Sequence, residues 1–239
     1  MIEQAMIFSA GLGTRFKPWT DHHPKALALV NGKPLLQRNI EYLQKYGIFK
    51  VVVNVHHFAD QVINEIEKNK GWGSEIIISD ERNLLLETGG GLLHARKFFE
   101  SNPFITLNVD VLTRLDISAI QKHHEESRAL ITLSVQERKT SRYFLFDSEM
   151  RLCGWRNVST GEEKIVRDTG PFIQKAYSCV GVYDPSIFDL VPQQGKFSLT
   201  ETFLSLAPNH LINGFLHGED DFVDVGKPES VEVAERKYS

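Results

Sequence analysis

The segment GLGTRFKPWTDHHPK, residues 11–25, comes directly after the apolar run Ala5-Met6-Ile7-Phe8. The apolar run reads as a first strand, and the segment places two glycines, Arg15 and Lys25 in one loop. Glycines let backbone N–H groups come close to a ligand. The two cations answer a polyanion, and the planar fork of an arginine matches phosphate oxygens. A strand that opens into such a loop is a seat for a nucleoside triphosphate. Two familiar phosphate loops do not account for it. The string G-x-x-x-x-G-K-[ST] is absent. The dinucleotide fingerprint lacks its third glycine, since Phe16, Lys17 and Pro18 stand there.

Outward from this loop, short apolar runs alternate with helical patterns. Pro34 and Gly47 frame a helix over Leu35–Tyr46. Lys50–Val55 reads as a strand, Ala59–Asn69 as a helix, Glu75–Ser79 as a strand, Gly91–Phe99 as a helix and Phe104–Val109 as a strand. That alternation predicts a mostly parallel sheet with helices on both faces. After Ala129 strands crowd together: 130–135, 143–146, 151–155 and 177–183. They predict an antiparallel portion. Ser198 and Glu201 form a capping box that opens a helix. Phe222–Val225 is a short final strand, and Pro228–Lys237 a closing helix. Residues 156–174 are polar and read as irregular, a candidate flap. The expected fold is therefore α/β: a three-layer α/β/α, Rossmann-like arrangement with a mixed, mostly parallel sheet and a smaller antiparallel portion. It is expected to be one domain over 1–239, with a nucleotide-binding half at 1–128 and a substrate-binding, closing half at 129–239.

Composition narrows the function. The 239 residues carry a net charge of −4, which argues against a nucleic-acid surface. No run approaches the roughly 18 apolar residues of a membrane helix. The start, Met1-Ile2-Glu3-Gln4, lacks the pattern of a signal peptide. Cys153 and Cys179 have no ligand-like spacing and are expected as free thiols in a reducing cytoplasm.

Two aspartates stand at expected strand ends, Asp110 after FITLNV and Asp224 after FV. Ligands of open α/β sheets bind beyond the carboxyl ends of the strands. Mg²⁺ prefers oxygen and is usually held by one or two carboxylates plus substrate phosphates. Asp110 and Asp224 opposite the cationic loop are thus a candidate Mg²⁺ seat. Glu87-Thr88-Gly89-Gly90-Gly91 sets three glycines at a helix start. Each costs about 1 kcal/mol there against alanine, which points to backbone passing close to a base. Asn108 shares the face of Asp110 in an extended strand. The histidines come as adjacent pairs, which cannot share a face; His56 is a candidate for the cleft, while His123 and His124 read as surface. No G-x-S-x-G string offers a covalent nucleophile.

The spacing G-x-G-T-R, Pro18, Thr20, Pro24-Lys25, together with ETGGG, NVD, GVYDPSIF and the terminal DVGKPES, resembles the sugar-1-phosphate nucleotidyltransferases over nearly the whole chain. Within that family it is most similar to the compact enzymes that make UDP-N-acetylmuramate, and then to mannose- or heptose-1-phosphate guanylyltransferases. The resemblance implies Mg²⁺-dependent attack of a sugar-1-phosphate on the α-phosphorus of UTP or GTP, with release of pyrophosphate. It implies catalytic roles for Arg15 and Lys25, nucleotide contacts from Ala10, Gly11, Gly13, Thr14, Glu87, Gly89 and Gly90, metal binding by Asp110 and Asp224, and a sugar-phosphate contact from Asn108. Glu163-Lys164 loosely resembles an acidic–basic pair that grips the sugar in larger members, which suggests Lys164 as a substrate contact. A cytoplasmic monomer or homodimer is expected. The rival readings are a non-catalytic nucleotide or sugar-phosphate sensor on the same fold and a dinucleotide-dependent oxidoreductase.

Overall fold

Residues 2–218 and 222–238 are described by the structure, a computed structural model. The first apolar run forms β1 (Gln4–Phe8), buried along its whole length. Three short 3-10 turns come next, and then the small ribbon β2 (Leu29–Val30) and β3 (Lys33–Pro34) leads into α1 (Leu35–Gln44). After these come β4 (Lys50–Val55), α2 (Ala59–Lys68), β5 (Glu75–Asp80), α3 (Glu87–His94) and β6 (Phe104–Asn108). Strands β5, β4, β1 and β6 lie side by side in that order, all parallel. Successive β-strand side chains point to opposite faces, so a strand covered on both faces is apolar throughout. In β1, Ala5 and Ile7 enter one core with Leu36, Ile40 and Leu43 of α1. Met6 and Phe8 enter a second core on the other face, with Leu92 and Phe203.

The chain continues through β7 (Val111–Thr113), α4 (Ile117–Ser127), β8 (Ile131–Gln136), β9 (Arg142–Phe146), β10 (Leu152–Asn157) and β11 (Glu162–Ile165). Then come β12 (Ile173–Tyr183), α5 (Ile187–Leu190), α6 (Leu199–Leu206), β13 (Ile212–Leu216), β14 (Phe222–Asp224) and α7 (Glu229–Lys237). The long strand β12 is the seam of the molecule. Its C-terminal part runs antiparallel to β6 and to β8, and its start pairs with β9. The antiparallel strands thereby extend the same mixed sheet. The ribbon of β14 and β7 folds the chain's last strand back beside the end of β6.

Several expectations change. The stretch 156–174 is only partly irregular: β10 and β11 pair antiparallel from Gly154 to Asn157 and β12 begins at Ile173, while 158–161 and 166–172 lie outside the strands. Helix α3 begins at Glu87, so the three glycines lie inside it rather than before it. Helix α4 and strand β13 had no counterpart among the expected elements. Asp116 caps α4 by accepting the Ser118 and Ala119 amides, the pattern of a helix N-cap. His124 is not on the surface but buried on α4, with Nδ1 2.9 Å from the Thr132 hydroxyl; burial pushes its pKa down. His123 packs edge-on against the Phe215 ring. The capping box at Ser198 and Glu201 forms as expected, and Cys153 and Cys179 are free.

Candidate active site

The loop after β1 is set by its own sequence. Gly13 adopts φ +62°, the left-handed region, and a Cβ there would stand 2.8 Å from Thr20 Cγ2. The Gly13 carbonyl accepts from the Phe16 amide at 2.8 Å and from the Thr20 hydroxyl at 2.9 Å, which closes the turn. Gly11 is different: nothing lies within 4 Å of its missing Cβ, so open space adjoins it. Ser9 donates its amide to Asn54 Oδ1 at 2.7 Å and so moors the start of the loop to the end of β4.

Lys25 emerges from the third turn with its side chain only 9% exposed and reaches Asp110 Oδ2 at 2.5 Å. Asp110 comes just after β6, and its carbonyl accepts from the Val225 amide at 2.8 Å. That bond brings the end of β14 beside the end of β6. A Cβ on Gly226 would stand 2.6 Å from Asp224 Oδ1 and 3.0 Å from Arg15 Nη2. Gly226 is thus the gap in which Arg15 and Asp224 approach each other. Arg15, Lys25, Asp110 and Asp224 converge, although more than 200 residues separate the first from the last. Its partly enclosed position pushes the Asp224 carboxyl above its ordinary range, and the charge of Asp110 adds to this; Lys25, Arg15 and Arg138 oppose it.

A cavity of about 370 Å³ opens at the carboxyl ends of the parallel strands. Ala10, Gly11, Gly13, Thr14, Arg15 and Lys25 line one side of it. Asn108 and Asp110 line its floor, and Glu87 adjoins it from α3. Thr88 of the ETGGG motif and Gly226 of DVGKPES also line it, as do Ser9, Asn54 and Leu85, which no motif in the sequence singled out. Ser9 and Asn54 lie just past or at the carboxyl side of buried strands, a positional signal that was there to be used.

Gly89 and Gly90 are not part of the lining. Their amides donate to the Phe197 carbonyl at 2.9 and 3.1 Å. A Cβ on Gly89 would overlap the Phe197 ring, and one on Gly90 the Gly195 carbonyl. At Gly89 and Gly90 the close backbone approach that the glycines signalled is one to Phe197 and Gly195. His56 likewise turns away from the cavity, Nδ1 lying 2.7 Å from the Glu81 carbonyl.

A second cavity, about 660 Å³, shares Arg15 with the first and includes Asp224. Its remaining walls come from the antiparallel strands: Arg142 and Tyr143 of β9, Trp155 of β10 and Tyr177 of β12, with Arg138 beside them. Arg138 donates to the Tyr177 carbonyl at 3.0 Å and lies 4.7 Å over the Phe222 ring. Among the described residues, Arg15, Arg138 and Arg142 make no ion pair within 4.0 Å. Cys179 also reaches this wall, at φ +57° where the pairing of β12 with β8 shifts register. Burial and the two aspartates push its thiol up to about 12. Lys164 lines neither cavity; its ammonium lies 6.0 Å over the Trp155 ring and 3.3 Å from Glu162.

Comparison with known proteins agrees with this geometry. The model of the nucleotidyl transferase family matches residues 4–239. An N-acetylmuramate alpha-1-phosphate uridylyltransferase from Caulobacter vibrioides is 31% identical over 243 residues, covering 98% of this chain and 96% of the relative. A D-glycero-alpha-D-manno-heptose 1-phosphate guanylyltransferase from Campylobacter jejuni is 32% identical over 228 residues, covering 95% and 96%. In fold, the chain is similar to the crystal structure of HddC from Yersinia pseudotuberculosis complexed with GMP-PN, with a TM-score of 0.79 at 23% identity and full coverage of both chains. The chain belongs to the nucleotidyl transferase family. It is an enzyme of the sugar-1-phosphate nucleotidyltransferase class.

Proposed function

We propose that the chain transfers a uridylyl group from UTP to N-acetylmuramate 1-phosphate, giving the nucleotide-sugar and pyrophosphate. The supporting observation is the pair of cavities that meet at Arg15. The first, with open backbone at Gly11 and two cations, suits the triphosphate and its nucleoside. The second adjoins it with aromatic walls, on which a sugar ring packs. Among the described residues its arginines make no ion pair within 4.0 Å, which suits a sugar bearing an acidic substituent beside its phosphate.

The chemistry is an in-line displacement. A phosphate oxygen of the sugar-1-phosphate forms a bond to the α-phosphorus, the bond from that phosphorus to the β-bridging oxygen breaks, and pyrophosphate leaves with the electron pair. A phosphate monoester is already anionic, so no strong general base is needed, and positioning and charge neutralisation dominate. Arg15, at the junction of the cavities, would stabilise the departing pyrophosphate. Lys25, fixed by Asp110, would balance charge near the α-phosphate. Asn108 on the cavity floor would touch the sugar phosphate.

Asp110 and Asp224 fit a divalent cation. They are oxygen donors beside a phosphate-ready pocket, and like charge between them is part of what pushes Asp224 upward. Bound there, Mg²⁺ would lessen repulsion between two anionic reactants.

A second reading is guanylyl transfer to a heptose- or mannose-1-phosphate, favoured by the similarity to the Campylobacter jejuni enzyme. Pyrophosphate release from UTP and GTP, each with N-acetylmuramate, N-acetylglucosamine, glucose, mannose and heptose 1-phosphates and Mg²⁺, decides between them. The greatest kcat/KM with UTP and the muramate is expected. A greater value with GTP and a neutral sugar overturns the first reading in favour of the second, and no pyrophosphate with any pair would leave a sensor.

A further inference from the structure

The carboxylate of Glu81 has no place in the chemistry above, yet it is among the most enclosed charged groups in the molecule, at 3% exposure. It sits just past β5, where its amide donates to the Val55 carbonyl at 2.8 Å. Its Oε1 accepts from Asn54 Nδ2 at 2.9 Å, and the other end of the same Asn54 amide accepts from the Ser9 amide at 2.7 Å. The chain of bonds therefore runs from Glu81 through Asn54 to the first residue of the phosphate loop. Glu81 itself opens the loop that leads to α3, and its carbonyl accepts from the Leu84 amide at 3.0 Å. Leu85, Glu87 and Thr88, on either side of Leu86, line the facing wall of the nucleotide cavity. Room for the carboxyl exists because Gly91 has no side chain: a Cβ there would stand 2.7 Å from Glu81 Oε1 and 3.0 Å from Asn54 Nδ2. The last glycine of ETGGG is thus shaped around this one acid.

We propose that Glu81 is a positioning residue that ties the loop after β1 to the loop before α3, holding the two walls of the nucleotide cavity at the separation a nucleoside triphosphate requires. A pocket held open in its binding geometry loses less affinity to reorganisation than one that must assemble. Each single bond in the chain is worth only about 1 kcal/mol. Their placement gives them leverage, because the path joins both walls through only two side chains. A buried carboxyl is a costly choice for a merely structural strut. Burial pushes Glu81 up from the ordinary carboxylate range, against the pull of Asn54, Leu86, His94 and His56. Nothing here requires the negative charge; what is required is an acceptor at the reach of a glutamyl side chain.

The inference rests on a nucleoside triphosphate occupying this cavity, and the experiment separates the two. UTP and GTP, each with Mg²⁺, are titrated by calorimetry into the full chain and into Glu81→Gln, Glu81→Asp, Glu81→Ala and Arg15→Ala, with thermal unfolding recorded for each. Glu81→Gln keeps an acceptor at the same reach and is expected to stay within about twofold of wild-type affinity. Glu81→Asp keeps the charge but cannot span to Asn54, and is expected to bind about tenfold more weakly, as is Glu81→Ala. KM for the nucleotide is expected to rise in step while KM for the sugar phosphate holds. Adding Asn54→Ala to Glu81→Ala should weaken binding little further, since both cut the same path. A folded Glu81→Asp or Glu81→Ala protein that binds as wild type does, whatever its melting temperature, overturns the inference. If Arg15→Ala weakens binding while the Glu81 variants do not, only the inference falls. If Arg15→Ala binds as wild type does, the occupancy of the cavity falls, and the inference with it.

Discussion

The parallel half of the sheet and its antiparallel half contribute to the site in different ways. In the parallel half, β1, β4 and β6 end together, and their ends and the turns beyond them supply Gly11, Asn54, Asn108 and Asp110 to one rim. Backbone geometry does most of the work there, because all strands point their carboxyl ends the same way. In the antiparallel half, no such common rim exists. The second cavity is walled by side chains from the strands themselves, Tyr143, Trp155 and Tyr177, with arginines at its edge. On the proposed reading, the first half seats the phosphates and the side chains of the second choose the sugar.

The two halves meet at Arg15, which serves both cavities, and its removal is the severest test of their separate roles. Arg15→Ala is expected to lower kcat/KM about a hundredfold, near 3 kcal/mol, as typical for removing a preorganised charge. Steady-state pyrophosphate release checks it, and near-wild-type turnover would contradict the assigned role. Next in size is a stability effect in the parallel half. Alanine normally gains about 1 kcal/mol over glycine within a helix. Gly90→Ala is expected instead to destabilise by roughly 1–3 kcal/mol, because its methyl would press on the Gly195 backbone carbonyl. Denaturant unfolding reads the sign, and a stabilised variant would mean that α3 packs elsewhere.

A smaller effect isolates the role of the antiparallel half. Arg142→Ala is expected to reduce the preference for N-acetylmuramate 1-phosphate over N-acetylglucosamine 1-phosphate about fivefold to tenfold, near 1 kcal/mol, with Arg142→Lys intermediate. An unchanged ratio of kcat/KM values would remove Arg142 from acceptor choice. Smallest is a pH effect on stability from His124. Its folded pKa is depressed by burial, so the unfolded chain binds the proton more readily. Stability is therefore full above the unfolded value, about 6.5, and declines as pH falls below it. His124→Gln should flatten that decline in melting temperature between about pH 7.5 and 5.5; an unaltered slope would place the acid sensitivity in other groups.

Much of the first half was legible. The buried strands read as apolar runs, Gly47 ended a helix where local chemistry demands it, and the loop after β1 was visible in its glycines and cations; in the second half the capping box at Ser198 likewise began a helix. The errors share a cause. The glycines at 89–91 announced a close approach, but the sequence could not say to what; the partners, Phe197, Gly195 and Glu81, are remote or unmarked. The polar stretch at 156–174 gave no alternation, since β11 is exposed on both faces. His124 belongs to a helix whose apolar stripe was missed, and it was misread as surface for that reason.

By itself the sequence determined the loop of glycines and cations after β1, the strand-end acids and the α/β order, because each is written in residues close together along the chain. Only tertiary structure decided that Arg15 approaches Asp224 at Gly226, that the second cavity is walled by strands β9, β10 and β12, and that Glu81 bonds to Asn54 beside the first cavity. Local patterns record backbone geometry and burial. Which distant side chains converge depends on how the strands are ordered and registered in the sheet, and pairing partners leave no mark within either strand's own residues.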